Sequence, residues 1–155
     1  MSKGGYWQVV PDADSEEMLL KLAAALGIDL DSDDVPDLHV TLAYDKRNPE
    51  VEAQVNPDAD FTAIVKGATL FGEGDKKILV VLLESDDLQQ EHARIHACGA
   101  ANFDFKPYQP HVTLLYGAKD SQAEYLNQII SHPGRPPIGL RFIDESQEPI
   151  DDNAR

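Results

Sequence analysis

Two short runs of this chain are near copies of each other: His39-Val40-Thr41-Leu42-Ala43-Tyr44 and His111-Val112-Thr113-Leu114-Leu115-Tyr116. They start 72 residues apart (111 minus 39). Their β-branched and aromatic content reads as strand. Side chains on a strand alternate faces, so His39 and Thr41 share one face while Val40, Leu42 and Tyr44 share the other. His111 and Thr113 are set against Val112, Leu114 and Tyr116 in the same way. A neutral imidazole takes a proton from a hydroxyl or water, an imidazolium returns one to a departing oxygen, and both forms coexist near neutral pH. Threonine hydroxyls donate to oxygens on which charge gathers in the transition state. Two histidines and two threonines in one cleft therefore suit phosphodiester cleavage without a metal, each acid or base being worth roughly 10²–10⁴-fold. A single H-x-T says little, because Thr and Val favour strands anyway. Two copies at matching places give the pattern its weight.

The elements that must position these strands also repeat. YWQVV at 6–10 reads as a strand. Asp14, with Glu17 three residues on, reads as a capping box opening a helix that Gly27 closes. An acidic loop leads into the first motif strand at 39–44. FTAIVKGATLFG at 61–72 reads as an alternating or bulged strand, and ILVVLLES at 78–85 as a buried one. Ser85 and Asp86 offer caps for a helix ending at Gly99. A loop containing Pro107 and Pro110 delivers the second motif strand, a helix follows at 121–130, and a last strand at 138–144. Strand, helix, loop, motif strand thus occurs twice. This implies one α+β domain over 1–155: two pseudo-repeated lobes, each with a small sheet and one histidine strand. The tail at 149–155 is expected to be disordered.

The chain of 155 residues carries 28 acidic and 13 basic residues, a net charge of -15. That balance disfavours long nucleic acid, whose binding needs many Lys and Arg contacts. A small nucleotide still fits, since one pocket can be locally positive on an acidic surface. The acidic runs at 29–34 and 144–152 read as solvated loops. The lone Cys98 excludes an intramolecular disulfide, and no apolar run reaches membrane-span length, so a cytoplasmic protein is expected.

Other residues bear on binding. Tyr6 and Trp7 are adjacent on a strand and face opposite ways, which assigns one to the core and leaves the other to stack on a base, worth roughly 1–3 kcal/mol. Lys106 and Tyr108 precede the second motif within reach of the cleft mouth. His92 and His96 stand four apart on a helix, but in the order E-H-x-x-x-H and without a third ligand, so no metal site is assigned. Cys98 reads as core. No G-x-x-x-x-G-K-[ST] loop is present, against an ATP-driven enzyme.

The paired H-V-T-L runs resemble the two-histidine (2H) phosphoesterase superfamily, which has paired H-x-T or H-x-S motifs in a bilobal fold. Within it the segments DLHVTLAY (37–44), LFGEGDKKILVVLLES (70–85), FDFKPYQPHVTLLYG (103–117) and DESQEPID (144–151) are similar to the phage anti-CBASS cyclic-nucleotide phosphodiesterases. The resemblance implies a pseudo-twofold fold, with two small antiparallel sheets and flanking helices around a central cleft. It also implies opening of 3′–5′ linkages in cyclic di- and trinucleotide messengers, with no cofactor and no metal. By motif match His39, Thr41, His111 and Thr113 take the catalytic places. Trp7 falls where the family holds an aromatic against a base, and Glu145 at its near-terminal acidic position. Where the family carries a further stacking aromatic after the F-G, this chain has Glu73, leaving Phe71 as the nearest aromatic and the base preference open. Two other readings stay open: a 2′,3′-cyclic phosphodiesterase or RNA-end enzyme of the same superfamily, and a non-catalytic module that sequesters the messenger.

Overall fold

Strand pairing in the first half recurs, residue for residue, 72 positions later. In the first half Tyr6 pairs with Tyr44, Trp7 with Ala43, Gln8 with Thr41 and Val9 with Val40. In the second, Ile78 pairs with Tyr116, Leu79 with Leu115, Val80 with Thr113 and Val81 with Val112. Even the bulges correspond, lying between Trp7 and Gln8 in one half and between Leu79 and Val80 in the other. The computed structural model describes residues 5–45, 55–72, 74, 77–97, 108–134 and 136–149. In chain order the elements are β1 (Gly5–Pro11), α1 (Ala13–Ala25), β2 (Val40–Asp45), β3 (Asp60–Phe71), β4 (Ile78–Glu84), α2 (Asp86–Ala97), β5 (His111–Tyr116), α3 (Asp120–Ile130) and β6 (Gly139–Pro149).

The two small sheets are β6-β1-β2 and β5-β4-β3, antiparallel throughout. They are continuous with each other. β2 meets β5 through the pair Val40–Val112, and β3 meets β6 over Asp60–Ile64 and Gly139–Ile143, so the six strands close on themselves. One core cluster draws Trp7, Val9, Val40 and Leu42 from the first half and Leu79, Val81, Val112 and Leu114 from the second. Burying these chains, at roughly 25 cal/mol per Å² of apolar surface, is what holds the two motif strands at a common junction.

Two details differ from the sequence expectation. The α1 N-cap is Asp12 rather than Asp14: its carboxylate accepts from Ser15 N–H at 2.9 Å. Ser15 Oγ in turn accepts from Arg141 N–H of β6 at 2.8 Å, a tertiary contact that favours the earlier start. The acidic stretch after residue 144, read as loop, continues β6 as far as Pro149, because Ser146–Pro149 pair with Gly5–Gln8. Asp144 takes a left-handed φ of 54° where the β1–β6 register shifts, a conformation Asp tolerates better than most residues. Gly27, with φ 78°, supplies the left-handed residue just past α1, as expected. Ser85 caps α2 as expected, its Oγ accepting from Leu88 N–H at 3.1 Å.

Candidate active site

The pair Val40–Val112 sets the geometry of the two motifs. Because the pairing is antiparallel, the residue before Val40 stands level with the residue after Val112. His39 is thereby placed across from Thr113, and Thr41 across from His111. Val40 and Val112 are fully buried, as is Leu42, and Leu114 is nearly so. His39, Thr41, His111 and Thr113 are each partly exposed, so the polar and apolar faces separate as alternation requires. The structure thus brings the four motif residues to one junction on one face.

The two histidines are anchored identically. His39 Nδ1 lies 3.0 Å from the Asp37 carbonyl oxygen, and His111 Nδ1 lies 3.0 Å from that of Gln109. A carbonyl only accepts, so each Nδ1 carries the hydrogen and donates it. Each Nε2 is then the reactive atom, a lone pair in the neutral ring and a donor in the charged one. Gln109 is itself tied down, its amide donating to the carbonyls of Leu83 at 2.9 Å and Pro110 at 2.8 Å. Burial holds His111 below the ordinary histidine range, and the charge of nearby His39 pushes the same way, outweighing the Gln109 bond that favours protonation. Phe71 meets the His111 ring edge-on, with centroids 5.0 Å apart and planes at 78°. Of the residues expected to bind substrate, Phe71 is therefore brought against the motif set.

Tyr108, Trp7 and Glu145 are placed differently. The Tyr108 ring is buried and its hydroxyl donates to the Thr41 carbonyl at 2.6 Å, so it braces β2 instead of facing a ligand. Burial pushes its pKa up and keeps the donor protonated. Trp7 is 0% exposed within the core cluster, which leaves no ring face for a base. Its neighbour Tyr6 pairs through the backbone with Tyr44 and Glu148. Lys106, Glu73 and Cys98 lie outside the described residues. His92 directs Nδ1 to the Leu42 carbonyl at 2.6 Å, and among the described residues no trio of His, Cys, Asp or Glu is arranged to hold a metal ion.

Glu145 is buried beside α2. Its Oε2 accepts from Asn56 N–H at 2.6 Å and lies 3.5 Å from Arg94 Nη2. Arg94 also grips Glu91 with two bonds, at 2.6 and 2.8 Å. Glu145 Oε1 is buried with no hydrogen-bond donor beside it among the described residues, and the carboxyl shares a side-chain hydrogen bond with Glu91. Burial, and then that bond to Glu91, push the Glu145 pKa up to about 8. Glu91, though desolvated, is held below the usual carboxylate range by Arg94 and by Glu145. With a folded pKa raised above the ordinary 4.5, the stability this proton contributes is full below pH 4.5 and is lost as pH climbs towards 8. Glu145→Gln cannot ionise and keeps a donor for Glu91. Thermal unfolding between pH 5 and 8.5 should therefore show a steeper fall in Tm for the wild type than for the variant. Superimposable curves would refute the shared proton.

The fold is that of the two-histidine phosphoesterases, and the solved structure of E. coli LigT complexed with 3′-AMP shares it. LigT matches with a TM-score of 0.56 at 16% identity, over 95% of this chain and 87% of LigT. The model of the family described as "Anti-CBASS protein Acb1" matches residues 3–155, and the chain belongs to that family. An Acb1 from Caulobacter sp. strain RHG1 is 31% identical over 117 residues, which is 72% of this chain and 18% of that protein's length. The Acb1 of Escherichia phage RB16 is 26% identical over 144 residues, 90% of this chain and 76% of the phage protein.

Proposed function

We infer that this protein counters CBASS signalling as a phosphodiesterase that opens the 3′–5′ linkages of cyclic di- and trinucleotide messengers by metal-independent acid–base catalysis. The observation that carries this reading is the Val40–Val112 pairing, which sets two His–Thr faces side by side in a chain of the Acb1 family. His111, whose burial favours the neutral ring, takes the proton from the attacking oxygen. His39 then delivers a proton to the departing one. Thr41 and Thr113, on the same face, donate to the non-bridging oxygens. Phe71, already against His111, supplies an aromatic ring for a base, and its contact with that histidine supports this reading. The net charge of -15 favours such a compact substrate over a long nucleic acid, and the substrate class places the protein in the cytoplasm of the cell that makes the messenger.

Purified protein, in EDTA, incubated with cyclic di- and trinucleotides and with 2′,3′-cyclic AMP tests the reading by chromatography. Linearisation of a cyclic dinucleotide or trinucleotide is the expected result. Opening of 2′,3′-cyclic AMP alone would keep the mechanism but move the role to RNA ends. Binding of a messenger without cleavage would replace catalysis by sequestration.

A further inference from the structure

The first motif strand is bulged. Along β2, Trp7 pairs with Ala43 and Gln8 with Thr41, so Leu42 has no partner on β1. On its other side β2 registers with β5 at Val40 alone. A bulge interrupts the ladder, and carbonyls withdrawn from water need donors. Here the donors come from the other lobe. The Tyr108 hydroxyl donates to the Thr41 carbonyl and His92 Nδ1 to the Leu42 carbonyl, each at 2.6 Å. The two rings stack, with centroids 4.1 Å apart and planes 9° from parallel. Gln89 of α2 donates to the Tyr108 carbonyl at 2.8 Å, fastening the loop to the helix that carries His92.

The second motif strand has the same bulge, but among the described residues it lacks the same brace. The residues 72 positions before Tyr108 and His92 are Pro36 and Leu20, neither of which has a side-chain donor. The pseudo-twofold relation is thus broken at these two positions, where the second lobe carries side-chain donors to the first lobe's motif strand and the first lobe carries none. We propose that the stacked His92–Tyr108 pair is the positioning device of the first H-x-T motif, fixing the peptide planes of Thr41 and Leu42 and so aiming the Thr41 hydroxyl at the scissile phosphate. This role rests on the two-histidine reaction proposed above. Both residues act through Thr41, and neither touches the reacting atoms.

Tyr108→Phe deletes the hydroxyl and keeps the stack. His92→Leu removes the second donor, whereas His92→Asn leaves an N–H close to the position of Nδ1. Tyr108→Phe and His92→Leu should lower kcat by about 10- to 100-fold, the scale of a small misplacement of a reacting group, with KM unchanged and with His92→Asn recovering most of the loss. Tyr108→Phe should add nothing in a Thr41→Val background and cost its full factor in Thr113→Val. A readout independent of turnover runs in parallel: in ¹H–¹⁵N spectra Tyr108→Phe should shift the Thr41 and His39 signals and leave those of Thr113 and His111 in place. Equal losses in both backgrounds, or an unmoved Thr41 signal, overturn the brace, as does a loss of kcat that merely follows Tm. If the wild type cleaves nothing and the Thr41 signal still moves, the reaction is wrong and the positioning of Thr41 stands.

Discussion

His39→Ala and His111→Ala should each lower kcat on the proposed cyclic substrate by about 10²–10⁴-fold, the usual worth of one positioned acid or base. KM should change little, because an imidazole acting on a proton in flight contributes mainly to the transition state. The double variant should fall short of the product of the two losses, since an acid without its base has little left to assist. The two single variants are told apart by pH. The base must be neutral, so activity is lost as pH falls through the pKa of His111, and burial moves that acidic limb below the ordinary histidine range. His111→Ala should erase the acidic limb, while His39→Ala should keep it. Profiles of kcat/KM against pH, read by chromatography of the opened ring, decide the roles. An acidic limb that survives in His111→Ala and disappears in His39→Ala would exchange them. Unchanged turnover in both would remove the motifs from the chemistry.

The four motif residues were legible because alternation along a strand is a local property. Once HVTLAY and HVTLLY are strands, His and Thr must share a face. That the two strands meet at Val40–Val112 was expected only from the duplication, since pairing between segments 72 residues apart leaves no local mark. What failed to show was what depends on a distant partner. The capping choice between Asp12 and Asp14 turns on the bond from Arg141 to Ser15. The run after Asp144 has loop composition, and its pairing with Gly5–Gln8 makes it strand. Glu145 reads as a surface acid until Arg94, Glu91 and Asn56 are seen around it. The donors to the β2 bulge were equally silent. His92 could be noticed for its spacing from His96, but its target is a backbone carbonyl 50 positions earlier, and backbone carbonyls leave no mark in a sequence.

Trp7 is where local and global reasoning part, and its replacement should have the largest effect on stability. Alternation requires that Tyr6 and Trp7 face opposite ways, yet it cannot say which face the core will occupy. The structure assigns Trp7 to the core, fully buried with Val9, Leu19 and Leu42 and beside the β1–β2 bulge. Trp7→Ala should then cost about 3–5 kcal/mol, the range for truncating a buried aromatic, because the surroundings close only partly over the void. For a chain of this size that corresponds to a fall in Tm of about 10 °C or more. Trp7→Phe keeps most of the volume and should recover much of the loss. The protein that remains folded at low temperature should bind the proposed cyclic-nucleotide substrate with KM close to wild type, since the buried ring offers no face to a base. Denaturant unfolding together with steady-state kinetics on Trp7→Ala separates the two roles. A variant of undiminished stability whose KM rises tenfold would mean that Trp7 leaves the core to stack on substrate. The cleft would then be built by a movement of β1 against its bulge, and the aromatic expected from sequence resemblance would be the binding residue after all.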